Sequence, residues 1–503
     1  MSLEIVMKKP FIKRFSTRDS YFVYDVNSNE LVRVNKLIYD LLGEIGTHDT
    51  DIILDKLKHL YTEDELRLGI KEIEDAQHQH YLFSDHRPVI TSGIDSVEST
   101  RNALDHNLSQ IILEVTARCN LSCYYCNYSG RYTNGSAHGL GDMPLEIALK
   151  AVEYFIEHSK KNAKFRPAIG FYGGEPLLRF DLLKAVIEFM RNKGVFDAYT
   201  FNLTTNGTLL TDDIIAFLVD NNIDIMISLD GPQEIHDRFR VYPGTGNIGT
   251  YETILSNLEK VRSHSASYFK DRISINAVIA PPYPFESVIS FFSGTKIFEP
   301  LIEKITLNLV DENETTFFTD IPLDIRREKF ALGFNKLRKR YIEALITGTY
   351  AELSLEKSFF LDDFFNISRR KLMPLPGEFP ALGMCVPGQR RLLVNTAGRF
   401  FMCEKVGVHY DIGDVETGLD FKRIFDFLTS YAYFFKDCSE CWALRFCKKC
   451  FTDIRKGAEF NQVRKDNLCN FMLDKIETNL MSFCEIRDKN PEAFRVFKDV
   501  VMI

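Results

Sequence analysis

Eleven cysteines in 503 residues fall into two groups separated by more than 250 positions. The first is Cys119, Cys123 and Cys126, spaced C-x3-C-x2-C in the stretch Thr116-Ala-Arg-Cys-Asn-Leu-Ser-Cys-Tyr-Tyr-Cys126. The second holds Cys385, Cys403, Cys438, Cys441, Cys447, Cys450, Cys469 and Cys484. In a short loop the first spacing lets three thiolates face one centre. Three thiolates on a four-iron, four-sulfur cluster leave one iron without a protein ligand, open to a chelating small molecule. A structural zinc site is the alternative, but it asks for four protein ligands, and no fourth Cys or His lies close by. In the second group the C-x2-C pairs serve zinc as well as iron.

Such thiols need rigid elements to hold them. From about 109 to 310, apolar β-branched runs alternate with helical stretches. The pattern predicts strands at Ile111–Thr116, Ile169–Tyr172, Thr200–Thr205, Asp224–Leu229, Arg272–Ile279 and Lys304–Val310. Between the first two, Asp142 is expected to cap a helix with Pro144 in its first turn. Alternation of this kind implies a parallel sheet with ligands at the carboxyl ends of its strands. Polar and glycine motifs fall at those ends: Gly173-Gly174-Glu175-Pro176, Thr204-Thr205-Asn206-Gly207, and Ser228-Leu-Asp230-Gly-Pro232 followed by His236-Asp-Arg-Phe-Arg240. Singly, each is ordinary turn chemistry; in order at successive strand ends they outline a site. Paired glycines let backbone approach a ligand closely, and Glu175 can accept hydrogen bonds from an ammonium.

With C-x3-C-x-aromatic-C directly after a first strand, this series of motifs resembles the radical S-adenosylmethionine (SAM) superfamily. The resemblance implies an α/β fold, a partial (β/α)6 TIM-like barrel over 109–310. It implies a SAM-binding 4Fe-4S cluster on Cys119, Cys123 and Cys126. For SAM it implies Tyr125 near adenine, Gly173, Gly174 and Glu175 at the amino group, and Thr205 and Asn206 beside them. Ser228 and Asp230 would face the ribose and methionine portion, Arg240 the carboxylate, and Asn276 and Val278 the adenine side. The run Cys438-Ser-Glu-Cys441 to Cys447-Lys-Lys-Cys450 resembles the SPASM domain, which carries two auxiliary 4Fe-4S clusters. It departs from that domain in having two residues, not three, between Cys447 and Cys450. The interleaved pattern of the family assigns Cys385, Cys403 and Cys450 to one cluster and Cys438, Cys441, Cys447 and Cys469 to the other. Three 4Fe-4S clusters then use every cysteine but Cys484, expected to be an ordinary buried residue. The 17 residues between Cys385 and Cys403 contain no cysteine. The first auxiliary cluster therefore keeps an iron for a substrate thiolate, or closes it with water or a non-cysteine ligand. Glu404 stands where some relatives place an acidic general base; a solvated glutamate is the other reading.

The remaining chain frames this centre. Residues 1–95 read as a hairpin around Asn27-Ser-Asn29 followed by three helices, the third opened by a Thr62/Glu65 capping box. This is a winged-helix-like pattern. Residues 1–100 carry 12 Lys and Arg against 18 Asp and Glu, a balance that repels phosphate and argues against DNA. The pattern instead resembles the leader-recognition element of maturases of ribosomally made peptides, in which a leader adds a strand to a sheet edge. Residues 96–108 read as a polar linker, 311–380 as a helical bridge, 381–485 as the SPASM domain and 486–503 as a tail. A hydrophobic fraction of 45% and a net charge of −8 fit a globular chain with no general affinity for nucleic acid. No apolar run is long enough to span a membrane. The first 15 residues show no secretory signal, which implies a cytoplasmic setting with reduced thiols. The combined expectation is a thioether-forming radical SAM/SPASM peptide maturase. Its partners would be a leader-bearing precursor peptide and an external one-electron reductant of flavodoxin or ferredoxin type. Alternatives are a carbon–carbon cross-linking maturase, an anaerobic sulfatase-maturating enzyme and a metal-binding winged-helix regulator. Removal of residues 1–100 is expected to weaken peptide processing and spare SAM cleavage.

Overall fold

The computed structural model describes residues 8–498 except 81, 134–138, 140, 160–165, 245–247, 351–352, 382, 384 and 406–408, and leaves out the side chains of 79 and 80. The absence of a secretory signal rests partly on residues 1–7, outside the described residues. Among described residues, no helix is long and apolar enough to cross a membrane.

The N-terminal module is a three-stranded antiparallel sheet, β1 (Ile12–Ser16), β2 (Tyr21–Asp25) and β3 (Glu30–Val34), followed by helices Lys36–Glu44, Thr50–Leu57 and Glu63–His80. The strand β1 adds to the expected hairpin; its Lys-Arg pair hides the alternation that its pairing with β2 reveals. The capping box forms as expected, Thr62 N donating to Glu65 Oε2 at 2.8 Å and Glu65 N to Thr62 Oγ1 at 3.3 Å. One sheet face carries Val23 into a core with Ile38, Leu41, Leu66, Ile70 and Ile73. The other sends Phe15, Phe22, Tyr24 and Leu31 into the main core of the molecule. Arg445 locks this seam, donating to Val26 O at 2.7 Å, Asn27 O at 3.0 Å and Met373 O at 2.8 Å.

The short strand β4 (Val89–Thr91) leads out of the module. The expected linker at 96–108 is in fact structural. Ser96 caps a helix, Val97–Leu104, by accepting from Ser99 N at 3.0 Å, and Thr100, Leu104 and Leu108 are fully buried. Apolar spacing in that segment was too short to outweigh its polar composition.

Six parallel strands follow: β5 (Gln110–Thr116), β6 (Ala168–Gly173), β7 (Thr200–Thr205), β8 (Asp224–Ser228), β9 (Ile273–Ile279) and β10 (Ile305–Leu309). Each pairs with the next in order. They match the expected strands because both faces of a parallel sheet are buried and so read as apolar runs. The helix after β5 begins at Leu145, and Asp142 is not its cap. Its carboxylate is held by Thr116 Oγ1 at 2.6 Å and by both ends of the Arg118 guanidinium at 2.8 and 2.6 Å.

Beyond helices Phe330–Thr347 and Lys357–Ser368, β11 (Glu378–Pro380) pairs with β4. Then β12 (Leu392–Val394) joins β5 in parallel and turns into β13 (Arg399–Phe401), β14 (Asp411–Asp414) and β15 (Gly418–Leu419). The cysteine-rich region thus extends the barrel sheet to ten strands. A two-stranded hairpin, β16 (Arg455–Lys456) and β17 (Glu459–Phe460), precedes the long helix Gln462–Lys489. The tail expected from 486 starts inside that helix, and Phe497 beyond it is fully buried.

Candidate functional site

The loop after β5 carries Cys119, Cys123 and Cys126. It is held by its own backbone, Leu121 N donating to Cys119 Sγ and Tyr128 N to Cys126 Sγ, both at 3.4 Å. It is pinned to the segment after β8 by Ser122 N to Val241 O at 2.9 Å and Tyr124 N to Phe239 O at 3.0 Å. The three thiols act on one another's charge. Burial pushes Cys119 up to about 12 and Cys123 to about 11, against the pull of Arg240 on Cys123, and raises Cys126 as well. Left to themselves they stay protonated, so a metal centre must displace their protons.

Gly173 and Gly174 serve this loop first. A Cβ on Gly173 would lie 2.2 Å from Thr116 O, and one on Gly174 2.1 Å from Arg118 O. Their backbone takes up the same carbonyls, Gly174 N donating to Thr116 O and Glu175 N to Arg118 O, each at 2.8 Å. The glycines therefore let strand β6 close on the cysteine loop. Glu175, fully buried, gathers three donors: Leu177 N at 3.0 Å, Thr205 Oγ1 at 2.7 Å and Asn206 N at 2.8 Å. Burial raises its pKa while these bonds pull it down. Asn206 passes the tie on, donating to Asn120 Oδ1 at 2.8 Å and lying 3.9 Å from Cys119 Sγ.

A second knot forms at the ends of β8 and β9. Asp230 accepts from Arg240 Nε at 3.0 Å, Val278 N at 3.0 Å and the Tyr125 hydroxyl. Arg240 Nη1 lies 3.8 Å from Cys123 Sγ. His236 accepts from Asp230 N at 3.1 Å and meets Thr250 Oγ1 at 2.9 Å; burial lowers its pKa to about 4, so it is neutral. Ser228 is buried beside this knot in sequence, and Asn276 accepts from Asn308 at 2.6 Å. Tyr125 packs edge-on against Phe239 and Phe317. The expected SAM residues thus gather at one end of the sheet, with their polar groups satisfying each other.

The remaining cysteines sort by proximity. Cys385, Cys403 and Cys450 act on each other, and Cys438, Cys441, Cys447 and Cys469 form the other set. Lys449, buried, donates to Cys438 Sγ at 3.3 Å, and Thr452 to Cys450 Sγ at 3.0 Å. Cys484 is fully buried in the helix Gln462–Lys489. Among described residues, no three His, Cys, Asp or Glu side chains form a group that could hold a single metal ion. Cysteine thiolates are the donors that iron–sulfur clusters take, so the residues present fit such groups.

Sequence reasoning missed the groups between the first set and Cys403. Glu114, 5% exposed in the middle of β5, is raised by burial and bonded to Tyr128. Tyr172, also raised by burial, feels Cys126, Glu404, Glu114 and Arg391. Glu404 is ion-paired with Arg391, so it is not a freely solvated glutamate, and its Oε2 is buried with no partner among described residues. The available signal was a glutamate inside Ile111-Ile-Leu-Glu-Val115, since a charge in a strand otherwise read as buried is unusual unless paired.

Residues 113–293 match the family model described as the radical SAM superfamily. A cysteine-type anaerobic sulfatase-maturating enzyme of Clostridium novyi is 31% identical over 168 residues, 32% of this chain and 42% of that protein. The radical SAM cyclopropyl synthase TigE of Paramaledivibacter caminithermalis is 26% identical over 254 residues, 47% of this chain and 50% of that one. The chain thus spans half or less of the length of these relatives. The solved structure of native anSMEcpe with bound AdoMet shares the fold at a TM-score of 0.54 and 18% identity, covering 78% of this chain and all of that one. Residues 113–293 are thus similar to the radical SAM superfamily, and they lie in a partial barrel that shares the fold of native anSMEcpe, with a small N-terminal module and a cysteine-rich C-terminal region.

Proposed function

We propose that this chain modifies a ribosomally made precursor peptide and installs a thioether between a cysteine sulfur and a carbon. Cys119, Cys123 and Cys126 would hold a 4Fe-4S cluster, with SAM seated among Gly173, Gly174, Glu175, Thr205, Asn206, Ser228, Asp230, Arg240, Asn276, Val278 and Tyr125. When bound and reduced, this pair supplies a 5′-deoxyadenosyl radical that takes a hydrogen atom from the substrate. The protein's part is positional. Glu175 ties the end of β6 to the end of β7, and Arg240 sets a positive charge beside Cys123. A zwitterionic ligand would exchange into the Asp230–Arg240–Tyr125 knot.

The observation that carries the reading is a run of interacting polar groups, Glu114, Tyr128, Tyr172 and Glu404. It joins the first cysteine loop to Cys403. A peptide strand lying there would have one cysteine set at each end. Cys385, Cys403 and Cys450 would leave an iron for the substrate thiolate, and Cys438, Cys441, Cys447 and Cys469 would pass the spare electron outward. Glu404 is the candidate base. A leader would add to β3, an outer strand of its sheet, raising the effective concentration of the attached core peptide. An external one-electron protein reductant is implied.

Similarity to sulfatase-maturating enzymes favours a second reading, conversion of a peptide cysteine to formylglycine. The two products differ in sulfur: a thioether keeps it and loses two hydrogens, whereas formylglycine loses it. Anaerobically reconstituted protein with a strong reductant should release 5′-deoxyadenosine, and Cys119→Ser, Cys123→Ser or Cys126→Ser should abolish it. Mass spectrometry of a precursor encoded beside the gene then separates the products. No 5′-deoxyadenosine from loaded protein sinks both readings.

A further inference from the structure

Arg455 is 1% exposed, yet its Nε, Nη1 and Nη2 have no hydrogen-bond partner among described residues. A guanidinium carries five donors and no acceptor, and burying one unpaired costs several kcal/mol or more in a dry interior. Something with acceptor character and negative charge must complete this site. Arg455 opens β16, five residues after Cys450, and the turn Phe451–Asp453 between them is stitched back by Asp453 N to Cys450 O at 3.1 Å. Its guanidinium stands over the Tyr410 ring at 5.5 Å. Cys403 and Cys450 both act on its charge. Glu314, an acidic side chain that acts on its charge, accepts from Gly457 N at 2.7 Å through Oε1 and, among described residues, forms no ion pair with Arg455, its Oε2 being buried without a hydrogen-bond partner.

We propose that Arg455 is the cationic cap of the iron–sulfur cluster held by Cys385, Cys403 and Cys450, donating N–H bonds to its sulfides or thiolates and raising its reduction potential. This rests on the cluster assignment proposed above. Sulfide and thiolate sulfur accept such bonds, and hydrogen bonds to the sulfurs and local charge are what set a cluster's potential. A fixed positive charge favours the reduced, more negative state. Lys449, buried against Cys438, gives the other cysteine set a cation of its own.

The test compares wild type with Arg455→Met and Arg455→Lys, each reconstituted anaerobically, by iron and sulfide content and by redox titration followed by EPR. Arg455→Met should shift the auxiliary signal that Cys403→Ser removes to lower potential. The expected size is at least tenfold in the one-electron equilibrium, about 59 mV; Arg455→Lys should keep most of the wild-type value. An unchanged potential in Arg455→Met overturns the proposal. If Arg455→Met leaves that site empty, Arg455→Lys decides: a filled site at near wild-type potential supports the cap, and an empty one overturns it. Urea unfolding of the apo proteins separates a merely structural role. Relief of an unpaired charge should leave apo Arg455→Met at least as stable as wild type, and a lower midpoint would assign Arg455 to packing and overturn the proposal. If Cys403→Ser removes no iron from wild type, the cluster assignment itself falls and takes this proposal with it.

Discussion

The carboxylates and imidazole at the strand ends hold the site by local bonds, and one of them gives a pH signature. His236 is fully buried and neutral, with its pKa lowered to about 4 by burial. Unfolded, it would titrate near 6.5. Below that pH the unfolded chain binds a proton that the folded chain refuses. The stability is therefore complete above about 6.5 and is lost as pH falls towards 4, by on the order of 3 kcal/mol. His236→Asn keeps an acceptor for Asp230 N but cannot titrate. Thermal unfolding of the apo protein across pH 7 to 5 should show a shallower decline in the variant than in wild type; parallel curves would remove His236 as a source of acid sensitivity.

At the scale of elements, close approach decides function. Strand β6 reaches the cysteine loop only because residues 173 and 174 lack a Cβ. Gly174→Ala places a methyl 2.1 Å from Arg118 O, a separation no real contact sustains. The loop or the strand must move. Iron uptake at the first site should fall several-fold with circular dichroism unchanged; full iron uptake would show that the loop tolerates the shift. The seam of the N-terminal module makes a second test. Arg445→Ala leaves three backbone carbonyls without their donor, at a cost of roughly 1–3 kcal/mol. Amide exchange over Tyr21–Val34 should quicken while 5′-deoxyadenosine formation stays near wild type, and a variant with unchanged exchange would mean the seam is held by apolar packing alone.

For the molecule as a whole, the structure revises what truncation should do. Phe11, Phe15, Phe22, Tyr24, Val26 and Leu31 are part of the central core, each worth roughly 1.5–3 kcal/mol of burial. Deleting residues 1–100 bares their partners, among them Phe446 beside Tyr24 at 4.9 Å. The truncated chain should aggregate or lose SAM cleavage along with peptide processing. A soluble truncation with full cleavage would restore the view of the module as a detachable docking unit. Leader docking is better read on the intact chain, as slowed amide exchange at Glu30–Val34 when peptide binds.

What the amino-acid sequence determined by itself was everything carried by spacing and period. The six parallel strands, the three-cysteine loop and the motifs at strand ends were legible because buried strands are apolar runs and loop chemistry is local. The two later cysteine sets were legible only through family resemblance, since their members lie up to 65 positions apart, as Cys385 and Cys450 do. Tertiary structure alone decided that β12 joins β5 and that the expected linker is a buried helix. It also showed that the paired glycines face the cysteine loop and that Asp142 grips Arg118. It brought Glu114, Tyr172 and Glu404 within one another's influence and left Arg455, among described residues, without a hydrogen-bond partner while Cys403 and Cys450 act on its charge. Each of these depends on which surfaces meet across hundreds of residues, and burial, which no single residue's type encodes, is what turns a glutamate or an arginine there into chemistry.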